Sequence, residues 1–490
     1  MESIWSLLGQ AWKWVWDNIF YINIILAVLI VFFQRRDPKA VWTWLLALYF
    51  LPIVGFIFYL LICQDYRKQK MFRIKDVEDS LNSMRSKQEE DLIRNKTHIH
   101  DSVLQEYADL ALYNLEANGA VYTRGNDIQV FTDGIAKFED LKAEIQCAKQ
   151  YIHMEYYIIQ NDSLFGEISQ LLMEKAREGV EVRVLYDAMG CRMMPPWAMR
   201  GLKQAGVKVA VFFPAILKWF QIRVNYRNHR KIVVIDGKVG YVGGFNIGEE
   251  YISKNRKFGY WRDTHLKLWG PSVMALQLRF VLDWNFAAKD NLFRDAKYFQ
   301  EGENDRHGDK GVQIVASGPD SRSQEIRDNY LRLMHKAKDH IYIQTPYFVP
   351  DEAILSALII AAKSGVDVRL MIPCKPDHPF VYWASYSYIW DLLEAGAKCY
   401  TYQNGFLHSK LVTADGLVAC CGTANMDIRS FQLNFEVNAV IYDQDTTREL
   451  EDAFLKDICQ SKEITRELYA QRSLVVRVKE QVSRLLSPLL

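Results

Sequence analysis

The chain of 490 residues is too long for a single hydrophobic core, so two or three domains are expected. Half of its residues are hydrophobic and 24% are charged, a composition that excludes a disordered chain. The formal net charge of +1 argues against a global basic field that draws a protein onto nucleic acid, and we expect no nucleic-acid partner. The eight cysteines show no CxxC spacing, which favours reduced core thiols over a zinc site or a disulfide framework.

The N-terminal residues predict a membrane segment. Residues 41–62 carry no charge, and this stretch is long enough to cross the hydrocarbon core as a helix. Residues 19–33 form a shorter apolar stretch that contains Asn23, and the link at 34–40 leaves room only for a tight hairpin. Tryptophan and aliphatic residues recur at helical spacing between positions 4 and 16, which fits a helix in the headgroup layer. We therefore expect an interfacial helix followed by a transmembrane helical hairpin.

Charge around the hairpin predicts its orientation. The loop between the two apolar stretches holds three basic residues, whereas five follow the second stretch between positions 67 and 75. The larger basic cluster favours a cytoplasmic position for everything that follows. The first residues lack a positively charged region and a small-residue cleavage site, so a cleaved signal peptide is not expected.

After the membrane segment the chain repeats one alternation of strand, helix, glycine and strand. The apolar run 151–159 is followed by a helical stretch and then by a strand after Gly179. Residues 341–348 are followed in the same way by a helical stretch and a strand after Gly365. This alternation predicts an α/β fold with a sheet covered by helices, and two such units in one chain predict a pseudo-twofold pair.

The expected domains follow from this pattern. We divide the chain into a membrane segment at 1–66, a charged linker helix at 67–110, a first α/β repeat at 111–300 and a second at 301–490. The second repeat ends in an amphipathic, basic helix at 474–486, which either lies on anionic lipid or simply closes the fold.

Each repeat carries the same five residues at the same offsets. The first set recurs 179 positions later as the second: His229, Lys231, Asp236, Gly243 and Asn246, then His408, Lys410, Asp415, Gly422 and Asn425. Any residue type occupies roughly one position in twenty, so this duplication is very unlikely to be chance. The histidine and lysine of each motif are two residues apart on a strand and project from the same face. A twofold would bring both motifs to one cleft.

These residues predict phosphodiester chemistry. Two lysine ammonium groups and two asparagine amides suit the oxygens of one phosphodiester and stabilise a five-coordinate phosphorus. The small residues before each asparagine, Gly243-Gly244 and Gly422-Thr423, are expected to let the backbone approach a bound oxyanion. Two imidazoles can divide the roles of nucleophile and general acid. We expect no metal and no other cofactor, because no cluster has metal-ligand spacing.

The duplicated motif resembles the HxKx4D pair of the phospholipase D superfamily. Strings elsewhere resemble the bacterial cardiolipin synthases: Arg35-Arg36-Asp37-Pro38 and Pro52-Ile53-Val54-Gly55 in the hairpin, then Tyr260-Trp261-Arg262-Asp263-Thr264-His265, Ser317-Gly318-Pro319-Asp320 and Thr345-Pro346-Tyr347-Phe348-Val349-Pro350. The resemblance covers essentially the whole chain, and it implies two phospholipase D-like repeats behind the hairpin.

The resemblance also implies a reaction. Its substrate would be phosphatidylglycerol and its product cardiolipin, formed with free glycerol by a multi-pass enzyme of the bacterial plasma membrane. The catalytic residues implied are His229, Lys231, Asp236, His408, Lys410 and Asp415. His229 would be the nucleophile and His408 the general acid and then base, although the sequence does not decide between the two. The alternative is a phospholipase D-type hydrolase, or less readily a nuclease. The sequence does not give the oligomeric state.

The resemblance further implies that a downstream carboxylate orients each histidine. Glu436 is the candidate for one histidine, and either Asp263 or Glu250 for the other. The motif aspartates Asp236 and Asp415 each precede a glycine, as a hairpin turn would require, so we expect them to be structural and not to touch substrate.

Overall fold

The computed structural model describes residues 2–33, 38–53, 55, 88, 102–214, 226–300, 308–321 and 323–487. The chain forms two compact units. One consists of residues 1–68 together with 215–226, and the other of residues 69–214 together with 227–490.

The first unit contains helices α1 (Glu2–Phe33) and α2 (Pro38–Phe50). Helix α1 is continuous for 32 residues, so the expected interfacial helix and the first apolar stretch form one element. Pro52 has no N–H to donate to the carbonyl of Leu48, four residues earlier. The buried Asn23 side chain donates to that carbonyl at 3.2 Å and to the Pro52 carbonyl at 3.0 Å. The polar residue of the first stretch therefore ties the two helices together.

Among the described residues, no helix combines the length and the apolar character needed to span a membrane. Residues 56–62, the end of the second predicted span, lie outside the described residues. The predicted linker helix at 67–110 is described only at Gln88 and from Ser102 onward.

The second unit contains two mixed sheets of the same design. The strands of its first half are β1 (Thr123–Asp133), β2 (Tyr151–Tyr156), β3 (Glu181–Asp187), β4 (Lys208–Phe212), β5 (Arg227–Asn228), β6 (Ile232–Ile235), β7 (Val239–Gly243) and β8 (Trp261–Trp269). The strands of its second half are β9 (Lys310–Ser317), β10 (His340–Gln344), β11 (Phe348–Val349), β12 (Asp367–Pro373), β13 (Lys398–Tyr402), β14 (Phe406–Leu407), β15 (Leu411–Ala414), β16 (Val418–Gly422), β17 (Met426–Asp427), β18 (Asn434–Tyr442) and β19 (Ser461–Ile464).

Helices cover both sheets. Those of the first half are α3 (Ser102–Glu106), α4 (Ala108–Asn118), α5 (Gly134–Cys147), α6 (Ser163–Arg177), α7 (Pro196–Gln204) and α8 (Ser272–Ala288). Those of the second half are α9 (Glu325–Lys336), α10 (Glu352–Lys363), α11 (Pro379–Ala395), α12 (Ile428–Gln432), α13 (Gln444–Ile458), α14 (Arg466–Ala470) and α15 (Leu474–Leu485). The matching helices α6 and α10 both begin at an aspartate whose side chain accepts a backbone N–H, Asp162 and Asp351. Both are followed by a glycine at positive φ, as the sequence pattern predicted.

The two sheets match strand for strand. The first runs β4-β3-β2-β6-β7-β8-β1 and the second runs β13-β12-β10-β15-β16-β18-β9, with β19 added at its edge. The first three strands of each run are parallel and the rest are antiparallel. Strands β1 and β9 pair with each other, which joins the sheets at equivalent edges. The predicted α/β fold of two repeats is confirmed.

Each repeat has its own core beneath the helices. One cluster is formed by strand and helix residues of the first half, among them Ile152, Val184 and Val233. The second cluster contains Ile343 and Leu370 from the second half. Helix α4 belongs to this second cluster, and its buried Asn114 donates to Asn329 at 2.9 Å. Residues 108–118, most of which the sequence pattern assigned to the first repeat, thus pack on the second.

Candidate active site

A strand of the opposite repeat holds each motif histidine in place. The short strand β5 pairs in parallel with β18 of the second repeat, with Asn228 opposite Phe435. The next residue, His229, donates its backbone N–H to the Phe435 carbonyl at 2.9 Å. The other motif has the same arrangement: β14 pairs in parallel with β8, and the His408 N–H donates to the Arg262 carbonyl at 2.7 Å. Both histidines therefore lie at the junction of the two repeats.

The orienting carboxylates also come from the opposite repeats. His229 Nδ1 lies 2.9 and 3.0 Å from the two carboxylate oxygens of Glu436. His408 Nδ1 lies 2.7 Å from Oδ2 of Asp263. Glu250, the alternative for this second role, instead accepts from the Gln160 side chain at 2.9 Å. The structure thus brings Asp263 and Glu436 to the histidines, each across the junction.

Small residues beside the carboxylates make room for them. A Cβ atom at Gly244 would meet the Asp263 carboxylate at 1.9 Å. At the equivalent position of the second repeat, Thr423 donates its hydroxyl to Glu436 at 2.6 Å. The backbone N–H of Thr264 supports Asp263 at 2.8 Å. The space that the sequence assigned to a bound oxyanion is taken by these side chains, because strands β8 and β18 lie directly against the two small-residue segments.

The two motif lysines are buried beneath the histidines. Lys231 donates to the backbone carbonyl of His229 at 2.6 Å, and Lys410 donates to the carbonyl of His408. Lys410 Nζ also lies 3.9 Å from the carboxylate of Asp263. Burial lowers the pKa of Lys410 to about 8 and lowers that of Lys231 well below its ordinary value. Lys231 has two further N–H groups for other acceptors, whereas Lys410 Nζ also lies 2.6 Å from Nδ1 of His408.

Burial also sets the charge state of the histidines and their carboxylates. It lowers the pKa of both His229 and His408 to about 4, so both imidazoles are neutral near pH 7. Burial alone would raise the carboxylate pKa values. His229 and Lys231 instead hold the pKa of Glu436 below its ordinary value, and Lys410 and His408 do the same for Asp263. An ionised carboxylate accepts hydrogen from Nδ1 of each ring, which leaves a lone pair on Nε2.

The two motif asparagines differ in their contacts. The Asn246 side chain accepts from the Ile158 backbone at 3.1 Å and donates to the Tyr251 hydroxyl at 3.1 Å, which leaves it one N–H. The Oδ1 atom of Asn425 is buried and has no hydrogen-bond partner among the described residues. Within the described ranges, no group of three or more His, Cys, Asp or Glu side chains is placed to hold a metal ion.

The motif aspartates lie at the far end of the strand from the histidines. Asp236 follows β6 and accepts backbone N–H groups of residues 149–151 at 2.7, 2.7 and 2.8 Å. Asp415 follows β15 and accepts those of residues 338–340, each at 2.9 Å. Four strand residues lie between each aspartate and its motif lysine, so the two are five residue steps, or about 17 Å, apart. Both carboxylates are thereby engaged in fixing the start of a central strand, β2 or β10.

A pair of buried arginines, which the sequence did not suggest, supports the two histidine segments. Arg230 lies between the motif histidine and lysine. Its Nη1 contacts both carboxylate oxygens of Asp283 at 2.6 and 2.7 Å, and its Nε donates to the Glu436 carbonyl at 3.1 Å. Ser409 holds the matching position in the second motif, and there Arg262 from the facing strand reaches Asp457 at 2.8 Å. The two aspartates lie on the matching helices α8 and α13. The two ion pairs occupy equivalent places in the fold. The arginines come from non-equivalent positions in the two repeats, so comparing the repeats along the sequence does not reveal them.

The chain matches two family models and several proteins of known name. The family model described as "Cardiolipin synthase, PLD-like domain" matches residues 141–262 and 330–458, and the model "Phospholipase D-nuclease N-terminal" matches residues 22–62. A cardiolipin synthase of Oceanobacillus iheyensis is 46% identical over 96% of this chain and 98% of its own length. A major cardiolipin synthase of Bacillus subtilis is 47% identical over the same shares. A cardiolipin synthase of Staphylococcus aureus is 48% identical over 97% of this chain and 96% of its own.

Among solved structures, the phosphatidylserine synthase of Haemophilus influenzae resembles the chain in fold. The two superpose with a TM-score of 0.59 and 15% sequence identity, over 78% of this chain and 100% of the other. The two-repeat fold is therefore one that a solved structure also has.

Proposed function

The chain belongs to the cardiolipin synthase family of phospholipase D-like proteins, and from this premise we propose that it joins two phosphatidylglycerol molecules into cardiolipin and glycerol. The observation that carries the proposal is the crossed pair of histidine-carboxylate contacts, His229 with Glu436 and His408 with Asp263. Such an arrangement supplies one nucleophile and one proton donor to a single phosphodiester, as phosphatidyl transfer requires.

The first half of the reaction forms a phosphatidyl-histidine. His229 Nε2 attacks the phosphorus of the first phosphatidylglycerol and forms a P–N bond. The P–O bond to the headgroup glycerol breaks, and the imidazolium of His408 donates its proton to the departing oxygen. Free glycerol leaves with that proton. Glu436 stabilises the positive charge that develops on the His229 ring.

The second half reverses these bonds with a different alcohol. The neutral His408 imidazole removes a proton from the headgroup hydroxyl of the second phosphatidylglycerol. The hydroxyl oxygen attacks phosphorus, the P–N bond breaks, and cardiolipin is released. His229 returns to the neutral state and His408 to the protonated one, so protons and charge balance over the cycle.

The low histidine pKa values make this cycle depend on substrate charge. Burial lowers both pKa values to about 4, which leaves the free site one proton short of the reactive state near pH 7. A phosphodiester anion bound beside the rings favours the imidazolium and raises the pKa of the second histidine. Proton uptake therefore accompanies substrate binding.

Four side chains from both motifs bind the phosphate oxygens in this proposal. Lys231 and Lys410 supply positive charge, and Asn246 and Asn425 supply amide N–H groups. What supports this assignment is that both lysines lie beside the histidines and that Asn246 uses only one of its two amide N–H groups, on Tyr251. The lysines stabilise the additional charge on the phosphorus oxygens as the fifth bond forms.

The proposal includes a membrane hairpin. Residues 19–33 and 41–62 cross the bacterial plasma membrane as two helices, with the catalytic repeats in the cytoplasm. Support comes from the charge-free second stretch and from the match of residues 22–62 to an N-terminal family model. The hydrogen bonds of Asn23 to two carbonyls of the second stretch, those of Leu48 and Pro52, also support it. The basic residues after the second stretch favour the cytoplasmic orientation.

The direct test incubates the purified chain with phosphatidylglycerol as the only lipid. Cardiolipin and glycerol should appear in equal amounts, and they should still appear after treatment with EDTA. Phosphatidic acid as the only lipid product would overturn the transferase assignment in favour of a hydrolase. Activity lost with EDTA and restored only by a divalent cation would refute the metal-free mechanism.

A second experiment separates the roles of the two histidines. A phosphatidyl ester of p-nitrophenol needs no proton on its leaving group, so a variant that lacks only the general acid still forms the covalent intermediate. His408→Asn should therefore release about one equivalent of p-nitrophenolate in a burst, whereas His229→Asn should release none. The opposite pattern would exchange the two roles and leave the crossed geometry unchanged.

A further inference from the structure

The C-terminal helix α15 (Leu474–Leu485) turns its apolar side to solvent. Its exposed apolar residues include Leu474, 76% exposed, and Leu485, 81% exposed, and Val475, Val478 and Val482 are exposed as well. A helix that simply closes a fold buries its apolar stripe against the core. Helix α15 does the reverse.

The polar side of the same helix is the one that packs on the protein. Glu480 and Ser483 are buried, and Glu480 pairs with Arg472 at 2.8 Å. Arg484 reaches Asp391 of helix α11 (Pro379–Ala395) at 2.9 Å. A polar contact surface fixes how the helix is turned, and these ion pairs hold its apolar residues outward.

The exposed apolar residues form one continuous stripe. With 3.6 residues per turn, the five positions fall within an arc of about 100°. Basic residues border the stripe, with Lys479 along one edge and Arg477 along the other. The helix has one carboxylate, Glu480, and it is on the buried side, paired with Arg472. The outward side is therefore apolar at its centre and positive at both edges.

From this orientation we propose that helix α15 docks the catalytic unit on an anionic bilayer surface, with its axis in the plane of the membrane. The apolar stripe enters the headgroup-acyl boundary, and the flanking basic residues contact lipid phosphates. The charge pattern favours a bilayer over a second copy of the chain, because two identical faces brought together would place their basic edges beside each other. This surface is additional to the reaction centre, and binding to it is measured without turnover.

The test places an environment-sensitive fluorophore at position 478 of the full chain. The variant Val478→Cys is labelled in a background where Cys63, Cys147, Cys374 and Cys459 are serine. His229 is asparagine in the same background, so that phosphatidylglycerol is not turned over, and the protein is reconstituted in vesicles that contain brominated lipid. Quenching is expected in vesicles of phosphatidylglycerol and phosphatidylcholine, and less in phosphatidylcholine alone. An unquenched label would overturn the proposal, as would equal quenching in both vesicle types. Cross-linking between two copies at position 478 would assign the face to self-association instead.

A kinetic arm uses the unlabelled chain with phosphatidylglycerol diluted in detergent micelles. Replacing Val478 and Val482 by Ser should raise the apparent KM, expressed as lipid mole fraction, by up to about a hundredfold, because each valine buried in lipid contributes about tenfold. The kcat should not change, since neither residue belongs to the reaction centre. Ile360→Ser on helix α10 is the matched control, since Ile360 is 58% exposed and has no such stripe. An equal rise in the control, or no rise in the double variant, would overturn the proposal.

Discussion

Replacing Asp263 by Asn should reduce kcat/KM by about a hundredfold to a thousandfold. In the structure the Asp263 carboxylate lies 2.7 Å from His408 Nδ1 and 3.9 Å from Lys410 Nζ. The asparagine side chain has nearly the same shape but no charge. It also has a single acceptor oxygen, whereas the aspartate uses both of its oxygens, one for His408 and one for the Thr264 N–H.

The magnitude follows from the charge that is lost. Opposite unit charges about 4 Å apart interact by about 4 kcal/mol at an effective dielectric constant near 20. The imidazolium of His408 exists only when it is about to donate its proton, so this attraction stabilises the reactive state and not the resting one. A barrier higher by about 4 kcal/mol corresponds to about a thousandfold, and the hydrogen bond that asparagine retains reduces this loss.

The assay measures cardiolipin and glycerol formation from phosphatidylglycerol in micelles, with thermal unfolding as a check that the variant is folded. Glu250→Gln is the matched control, because Glu250 is also a partly buried carboxylate of the first repeat but accepts from Gln160 and not from a histidine. It should change kcat/KM by less than about threefold. If Asp263→Asn kept activity within about threefold while Glu250→Gln lost a hundredfold, the crossed carboxylate reasoning would be refuted.

Three further predictions concern the stability of the fold and the buried contacts that support the active site. Burial lowers the pKa of His229 and His408 from 6.5 to about 4, so the folded chain binds fewer protons than the unfolded one between these values. The stabilisation is therefore fully present above pH 6.5 and is lost as the pH falls to 4, by about 3 kcal/mol per histidine. Urea unfolding of the wild type and of His229→Gln, each at pH 7 and pH 5, should show a smaller effect of pH in the variant. Asp415→Ala should lower the free energy of unfolding by about 1–3 kcal/mol, because backbone amides lose their acceptor, and should keep the activity per folded molecule. A hundredfold loss of activity in folded protein would instead make Asp415 catalytic. Arg230→Met should cost about 3–5 kcal/mol of stability, because Asp283 stays buried without its ion-pair partner. Combining it with Asp283→Leu should restore part of that loss, and an equal or larger loss in the double variant would argue against the ion pair.

The sequence alone was sufficient to predict the repeats, and it also yielded the side chains that we propose as reactive. Strands of period two, helices that end at glycine and the duplicated histidine-lysine spacing are local patterns, and each predicts local geometry without knowledge of distant contacts. The expected structural role of Asp236 and Asp415 rested on the same kind of pattern, a carboxylate directly before a glycine. The structure places both carboxylates on backbone amides at the start of a strand.

Spacing left the choice between Asp263 and Glu250 open because the two repeats have loops of different length. From the motif asparagine to the carboxylate there are 17 residues in the first repeat, Asn246 to Asp263, and 11 in the second, Asn425 to Glu436. The extra residues in the first repeat include the turn Glu249–Ile252. On the sheet, Asp263 and Glu436 still occupy matching strands and the same position opposite a histidine.

Only the tertiary structure decided which carboxylate serves which histidine. The sequence places Asp263 after His229 and Glu436 after His408, whereas the parallel pairings of β5 with β18 and of β14 with β8 exchange these partners between repeats. Only the tertiary structure also decided which side of helix α15 faces solvent. Its sequence is amphipathic whichever side is buried, and the ion pairs of Glu480 and Arg484 turn the apolar side outward. The sequence determined the residue types and their local periodicity. Contacts between residues distant in the chain depend on how the two sheets meet, and no spacing along one strand or helix contains that information.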